Sequence, residues 1–96
     1  MTEKTYIKDP IAVLDYSFDW VNDPDGRWLQ VGENISSRAV TVATGLTKDS
    51  DTELDGVVTV WLSGGTAYES YTVACKITTS KSRIDERSIT IRVMDR

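Results

Sequence analysis

The sequence predicts an all-β fold, a two-sheet antiparallel sandwich of about seven short strands. A small barrel is the alternative. Apolar and polar residues alternate along most of the chain, which is the period of a half-buried strand. Turn-forming residues recur at roughly 8 to 12 residue intervals, as in sandwiches. No segment has the 3.6-residue period of an amphipathic helix, so the strands must bury their apolar faces against one another.

Length and composition predict one ordinary globular domain. The chain has 96 residues, of which 40% are hydrophobic and 27% charged. No apolar run approaches the ~20 residues that span a bilayer. The opening "MTEKTYIKDP" has no apolar stretch of the kind found in signal peptides. We therefore expect no membrane association, and synthesis and retention in the cytoplasm.

The first ten residues are expected to form an N-terminal arm. Residues 1–10 are polar and end in Pro10, which resists strand pairing, so this segment could order on a neighbouring molecule or fray. The sandwich domain is then expected over residues 11–96. Its first strand is "AVLDYSFDW", and the following "NDPDG", with Pro24 and Gly26, predicts a tight turn.

Alternation in the later segments predicts the remaining strands and their buried faces. The segment "ENISSRAVTVATG" is rich in β-branched residues, and "GVVTVWL" is apolar enough for a central strand, with Val57 and Trp61 facing outward. The segments "YTVACKITT" and "RSITIRVMD" flank "SKSRIDE", which has hairpin-like length. The inward-facing residues are expected to be Ala12, Leu14, Tyr16, Phe18 and Trp20; Val40 and Val42; Val58, Val60 and Leu62; Tyr71, Val73, Cys75 and Ile77; and Ile89, Ile91 and Val93.

The segment "LTKDSDTELDG" places acidic residues at every second position, which suits an edge strand protected from pairing with other chains. These are Asp49, Asp51, Glu53 and Asp55. An EF-hand loop starting at Asp49 would need Gly and Glu where this chain has Leu54 and Val60, so that motif is absent. A solvated face, a weak calcium site and recognition of a basic partner remain as alternatives. We predict no metal and no cofactor.

The chain offers little for catalysis. It contains no histidine, the commonest general base, and its one cysteine lies among the inward-facing residues. A cysteine nucleophile needs a partner that lowers its pKa, and none is evident for Cys75. We therefore predict a buried structural thiol, no catalytic residues and no enzyme activity.

Tyr71 occupies an architecturally informative position. It follows the turn formed by Gly64 and Gly65 and begins the penultimate strand. In Greek-key sandwiches a tyrosine at this point bonds its hydroxyl to backbone a few residues upstream. The pattern is similar to the tyrosine corner of immunoglobulin-like and fibronectin type III domains, with Tyr68 as an alternative occupant.

Charge and exposed aromatic residues point to a binding surface. Residues 1–70 hold 5 Lys/Arg and 12 Asp/Glu, whereas residues 71–96 hold 6 and 3. This basic end, with Arg83 and Arg87, is too weak for nucleic-acid binding but could dock on acidic surfaces of neighbouring copies. Trp28 and Trp61 are the candidates for an exposed patch that contacts either a protein or a sugar.

Several segments together resemble small immunoglobulin-like virion proteins of tailed bacteriophages, described as fibre-tail adaptors. The resemblance covers about residues 8–96 and is carried by "AVLDYSFDW", Trp28-Leu29, "GLTKDS", "GVVTVWLSGGTAYESYTVACKITTS" and "DERSITIRVMDR". It implies an immunoglobulin or fibronectin III-like sandwich that acts in the virion as an adaptor at the tail or head-tail region, where fibres attach. It also implies binding to tail, connector or capsid proteins and a homo-oligomer. A capsid decoration protein or a host-glycan-binding module is the alternative.

Overall fold

The computed structural model describes residues 4–21 and 28–95, and these form seven strands. The strands are β1 (Lys4–Lys8), β2 (Leu14–Asp19), β3 (Ile35–Val42), β4 (Leu46–Leu54), β5 (Val57–Gly64), β6 (Ser70–Thr79) and β7 (Ile84–Val93). No helix occurs among these residues, so none there could cross a membrane. The turn predicted at "NDPDG" lies outside the described residues. The all-β prediction is confirmed.

Two sheets make up the sandwich. One has four strands in the order β1-β7-β6-β3, and the other has three in the order β2-β5-β4. Every neighbouring pair is antiparallel except β1 and β7, which run parallel. A wholly antiparallel arrangement was expected, so the prediction is wrong for this pair. The charged segment β4 is an edge strand and β5 is central, as the sequence predicted.

One hydrophobic core fills the space between the sheets because the strands alternate as their sequences do. Its fully buried members come from both sheets and include Val58, Val60, Val73, Ile77 and Ile91. Each fully buried aliphatic side chain contributes roughly 1.5–3 kcal/mol relative to exposure. The predicted inward faces of β5, β6 and β7 are confirmed, and Cys75 is buried among them. Leu14 was also predicted to face inward, but it is 37% exposed at the start of β2, where it stands opposite Leu62.

Lys4–Lys8, within the segment predicted to be an N-terminal arm, form a strand of the sandwich. These residues make β1, which lies at the edge of the four-stranded sheet beside β7. Tyr6 packs against the core, and its ring centroid lies 5.1 Å from that of Tyr16 on β2 in the other sheet. The hairpin before β7 is also shorter than expected, because β7 already begins at Ile84. Tertiary packing of Tyr6 explains why a polar segment joins the sheet.

Candidate functional site

The predicted acidic face is not one surface, because the bulged strand β4 distributes its carboxylates in different directions. The register with β5 shifts between Lys48 and Ser50. Asp51 stands opposite the buried Val60, and Glu53 opposite the buried Val58, so both lie on the inner side of the sheet.

Asp51 joins the two sheets at their open edge. It accepts hydrogen bonds from Arg38 Nε on β3 at 2.6 Å and from Lys48 Nζ at 2.5 Å. The hydrogen bond from Lys48 is the largest influence lowering the pKa of Asp51, followed on the same side by that from Arg38. Glu53 accepts a bond from the Gly56 amide at 2.9 Å in the β4–β5 turn. These two acids therefore stabilise the fold, and the four acids of the segment do not share one outward face. Their role in binding a partner stays a prediction.

Asp49 and Asp55 are the exposed acids of this segment. Asp49 accepts a hydrogen bond from the Ser63 hydroxyl at 3.0 Å, on the outer side of the sheet. Asp55 occupies the β4–β5 turn with φ of 50°. Among residues 4–21 and 28–95, no group of three or more potential ligands is arranged to hold a metal ion.

Arg83 is half-buried and pairs with the buried side chain of Glu33. Its Nε donates to Glu33 Oε2 at 2.9 Å, and a second guanidinium nitrogen donates to Glu33 Oε1, which makes a bidentate pair. The guanidinium carbon lies 4.1 Å from the centroid of the Trp28 ring. Trp28 is half-buried beneath it. Trp28 and Arg83 therefore contact each other within the molecule, and their role in an interface stays a prediction.

Glu33 is the centre of this cluster. Its side chain also accepts the Thr79 hydroxyl at 2.6 Å and the Gln30 amide at 2.9 Å. The hydrogen bonds from Arg83 lower the pKa of Glu33 to about 2, and those from Gln30 and Thr79 act in the same direction. The same pair raises the pKa of Arg83. The sequence offered no sign of this buried acid, since Glu33 lies in a polar segment far from Arg83 along the chain.

Arg87, on β7, also contacts a tryptophan ring. Its guanidinium carbon lies 4.9 Å from the centroid of the buried Trp20 ring, and Nη1 donates to the Asp19 carbonyl at 2.8 Å. Trp20 Nε1 donates to Asp85 at 2.8 Å. Arg87 therefore fastens β7 to the end of β2. Its expected place in a basic docking surface stays a prediction.

Tyr71 and two glycines form the corner at the opposite end. The Tyr71 hydroxyl accepts a hydrogen bond from the Thr66 amide at 2.8 Å. Gly65, with φ of 96°, approaches so closely that a Cβ there would lie 2.7 Å from Val93 Cγ2 and 3.4 Å from the Tyr71 ring. Gly64 precedes it with φ of 79°. Only glycine adopts such a backbone without strain.

Lys8 is a second buried charged residue that the sequence did not reveal. Its side chain is fully buried, and Nζ donates to the carbonyls of Gly64 at 2.8 Å and Asp9 at 2.9 Å. Burial lowers the pKa of Lys8, whereas the charges of Asp9 and Asp49 oppose that shift. Lys8 thus connects β1 to the end of β5 in the other sheet.

Trp61 is the exposed aromatic residue of the sheet surface. It is 41% exposed on the outer side of the central strand β5. Its cross-strand neighbours are Asp15 on β2 and Ser50 on β4. We call this outer side of the β2-β5-β4 sheet the Trp61 face. The register and contacts give its outward residues as Asp15, Ser17, Asp19, Thr47, Asp49, Ser50, Thr52, Leu54, Val57, Thr59, Trp61 and Ser63.

Among residues 4–21 and 28–95, the charges of the Trp61 face all have one sign. Asp15, Asp19 and Asp49 are its charged residues, since the Lys48 amine is drawn to Asp51 on the inner side. Around them lie hydroxyl groups, two of which, on Ser17 and Thr59, are 3.2 Å apart. The face therefore combines a central aromatic ring with an acidic border, a composition suited to a protein partner that carries basic groups.

A family model for the podophage GP4 fiber-tail adaptor protein gp77 matches residues 8–92. The chain belongs to this family. The match begins at the last residue of β1 and runs almost to the end of β7, so it covers the framework that carries the Trp61 face. The predicted role as a bacteriophage tail adaptor for fibre attachment is confirmed. A search of curated proteins found no significant match. As a fibre-tail adaptor, the chain is a virion component that binds other virion proteins.

Proposed function

We propose that this fibre-tail adaptor acts by protein–protein contacts alone, through the Trp61 face of an immunoglobulin-like sandwich, and that several copies work together. The chain would be made in the host cytoplasm and incorporated into the virion. Catalysis is no part of the proposal, because its one thiol is buried in the core and burial raises the pKa of Cys75 to about 12.

Strand order supports the immunoglobulin-like assignment. In constant-type immunoglobulin domains the second, fifth and fourth strands share one sheet, and the third, sixth and seventh share the other. Here β2, β5 and β4 form one sheet, and β3, β6 and β7 lie together in the second. The bond from Thr66 to the Tyr71 hydroxyl is the contact that a tyrosine corner would make. The departure is β1, which pairs with β7 and not with β2.

We choose the Trp61 face as the binding surface because Trp61 is exposed. A tryptophan left 41% exposed at the middle of a sheet keeps a large apolar ring in water until a partner covers it. Tryptophan is also among the residues that contribute most to binding when buried at the centre of an interface. Trp28, in contrast, is already covered by Arg83, so the two rings do not form a joint platform for a sugar. No observation favours the decoration or glycan-binding alternative.

The test is fibre attachment in virions that carry Trp61→Ala. We expect purified particles with this substitution to carry several-fold fewer fibres per tail, measured by quantitative mass spectrometry of fibre protein against capsid protein. Tyr68→Ala is the matched control, because Tyr68 is 66% exposed but lies in the β5–β6 loop, off the face. A normal fibre content in Trp61→Ala particles that contain the adaptor at its usual level would reject the proposed face.

A further inference from the structure

Exposed apolar side chains are concentrated where β1 leads into β2. Nine large hydrophobic side chains of residues 4–21 and 28–95 are exposed, and four of them, Ile7, Ile11, Val13 and Leu14, lie in this short stretch. Ile11 is 90% exposed and Val13 is 55% exposed. Single exposed hydrophobic residues are ordinary, whereas a contiguous group marks a surface that a partner covers. Because the stretch contains the connection between two strands, a contact there also bears on the position of β1.

The connection, residues 9–13, is a tight turn that we call the hinge. The Asp9 carboxylate accepts the Ile11 amide at 3.0 Å, and the Asp9 carbonyl accepts the Ala12 amide at 3.0 Å. Pro10 stands between these two bonds. No side chain of the hinge belongs to the hydrophobic core, so the turn can straighten without a loss of core packing.

The contacts of β1 are ones that a second copy can supply unchanged. This strand pairs with β7 alone, Tyr6 lies against Tyr16, and the Lys8 amine donates to the Gly64 carbonyl. All of these partners follow the hinge in the chain. A second copy holds the same groups in the same arrangement, so its β7 can accept this strand with identical contacts. Exchange of β1 therefore loses none of these contacts, and the difference between the two forms lies at the hinge.

We propose that two copies of this chain exchange β1, each strand occupying the β1 position of the other copy in a two-fold symmetric dimer. In this form the hinge is extended from one sandwich to the other, and the two hinges pass each other antiparallel. Ile11 is the middle residue of the hinge, so it lies at the two-fold axis against its counterpart, and Val13 faces Asp9. The contact buries apolar side chains that the closed turn leaves in water.

Exchange joins copies without the use of the Trp61 face. That face belongs to the β2-β5-β4 sheet, whereas β1 lies at the edge of the other sheet. Closure onto the same chain is intramolecular, so exchange is favoured where the copies are concentrated, as on one tail. The inference rests on the proposed cooperation of several copies and adds the way in which they are joined. Fibre counts of Trp61→Ala virions test the adaptor face separately, so either proposal can fail while the other stands.

Disulfide trapping between two single variants tests the exchange. Thr5 on β1 stands opposite Thr90 on β7, on the outward side of the sheet and within the spacing that a disulfide can span. Thr5→Cys and Thr90→Cys proteins would be refolded together from urea at high concentration, oxidised and separated by non-reducing electrophoresis. In closed monomers the two introduced thiols lie in different molecules, and exchange of β1 brings them side by side. Cys75 is buried and does not compete.

Thr5→Cys mixed with Thr72→Cys is the matched control, because Thr72 is exposed on β6 and β7 separates it from β1. We expect several-fold more covalent dimer in the Thr90→Cys mixture than in this control. Ile11→Asp in both chains should lower that yield several-fold, because two carboxylates then meet at the axis. Ile84→Asp, at an exposed position outside the hinge, should leave it unchanged. Equal yields in the Thr90→Cys and Thr72→Cys mixtures, or a yield that Ile11→Asp does not lower, would overturn the exchange.

Discussion

Tyr71 shows how a single hydroxyl can determine the path of a loop. The ring is buried in the core, and its oxygen accepts the Thr66 amide at 2.8 Å. Gly45 and Gly65 contact the same ring from two sides, since a Cβ at Gly45 would lie 2.9 Å from Tyr71 Cε1. The hydroxyl therefore satisfies a backbone donor at the point where the chain crosses from one sheet to the other.

Tyr71→Phe tests this contribution. Removing the acceptor leaves the Thr66 amide without its hydrogen bond, and we expect a loss of about 1 kcal/mol in the free energy of unfolding. Urea denaturation of wild type and variant measures the difference. Tyr68→Phe is the control, because that exposed side chain makes no core contact of this kind and its change should be near zero. Equal midpoints for Tyr71→Phe and wild type would contradict the structural role of the hydroxyl.

Glu33 makes the stability of the protein sensitive to acid. The pKa of Glu33 in the folded chain is about 2, below its ordinary 4.5, so the folded state holds the ionised form more strongly than the unfolded state does. The stabilisation is complete above about pH 4.5 and is lost as the pH falls toward about 2. At neutral pH it is fully present.

Glu33→Gln should therefore reduce the dependence of the free energy of unfolding on pH in the acid range. We expect the free energy of unfolding of wild type to fall more steeply between pH 4.5 and 2 than that of the variant. The variant should be the less stable protein at pH 7, with the two converging in acid. Urea denaturation at half-unit pH steps supplies the data, and Glu69→Gln provides a control that removes an exposed loop carboxylate. Parallel curves for wild type and Glu33→Gln would be inconsistent with the ion pair to Arg83.

At the scale of elements, β1 is held differently from every other strand. It has five residues, pairs with β7 alone, and exposes Lys4, Thr5 and Ile7. Its attachment to the core rests on Tyr6 against Tyr16 and on the Lys8 amine at the Gly64 carbonyl. Because β1 has few buried contacts, the free energy needed to detach it locally is low.

We expect backbone amides of β1 to exchange with solvent deuterium at least tenfold faster than those of the central segment Val73–Ile77 of β6. The reason is that β6 pairs on both sides and buries alternate side chains completely, whereas β1 can detach without unfolding the sandwich. Hydrogen exchange followed by mass spectrometry resolves the two segments. Equal protection in β1 and β6 would mean that β1 opens only with global unfolding.

For the whole molecule, topology predicts slow folding for so small a chain. Among the seven described strands, only β4–β5 and β6–β7 are hairpins between consecutive strands, while β1–β7, β2–β5 and β3–β6 join segments distant in sequence. Closing such long loops costs entropy before the contacts form. We expect refolding in about milliseconds to seconds, typical of sandwiches, measured by stopped-flow tryptophan fluorescence. Refolding within microseconds would show that the long-range pairs do not limit the rate.

Most strands and most of their inward faces follow from the sequence pattern. Alternation along "GVVTVWL" and "YTVACKITT" requires only that one side of a strand be dry, so Val60, Cys75 and the outward Trp61 follow without knowledge of their neighbours. The family could be inferred from the same segments, and the match over residues 8–92 confirms it.

Which charged residues make contacts within the molecule depends on the tertiary structure. Arg83 meets Glu33, Arg87 covers Trp20, and Lys8 is buried against Gly64, although each appears in sequence as an ordinary polar residue. The same holds for β1, whose pairing with β7 joins the two ends of the chain. Contacts between residues distant in sequence produce no periodic pattern along the chain. The partner of a charged residue is the group that the fold brings within hydrogen-bonding distance of it.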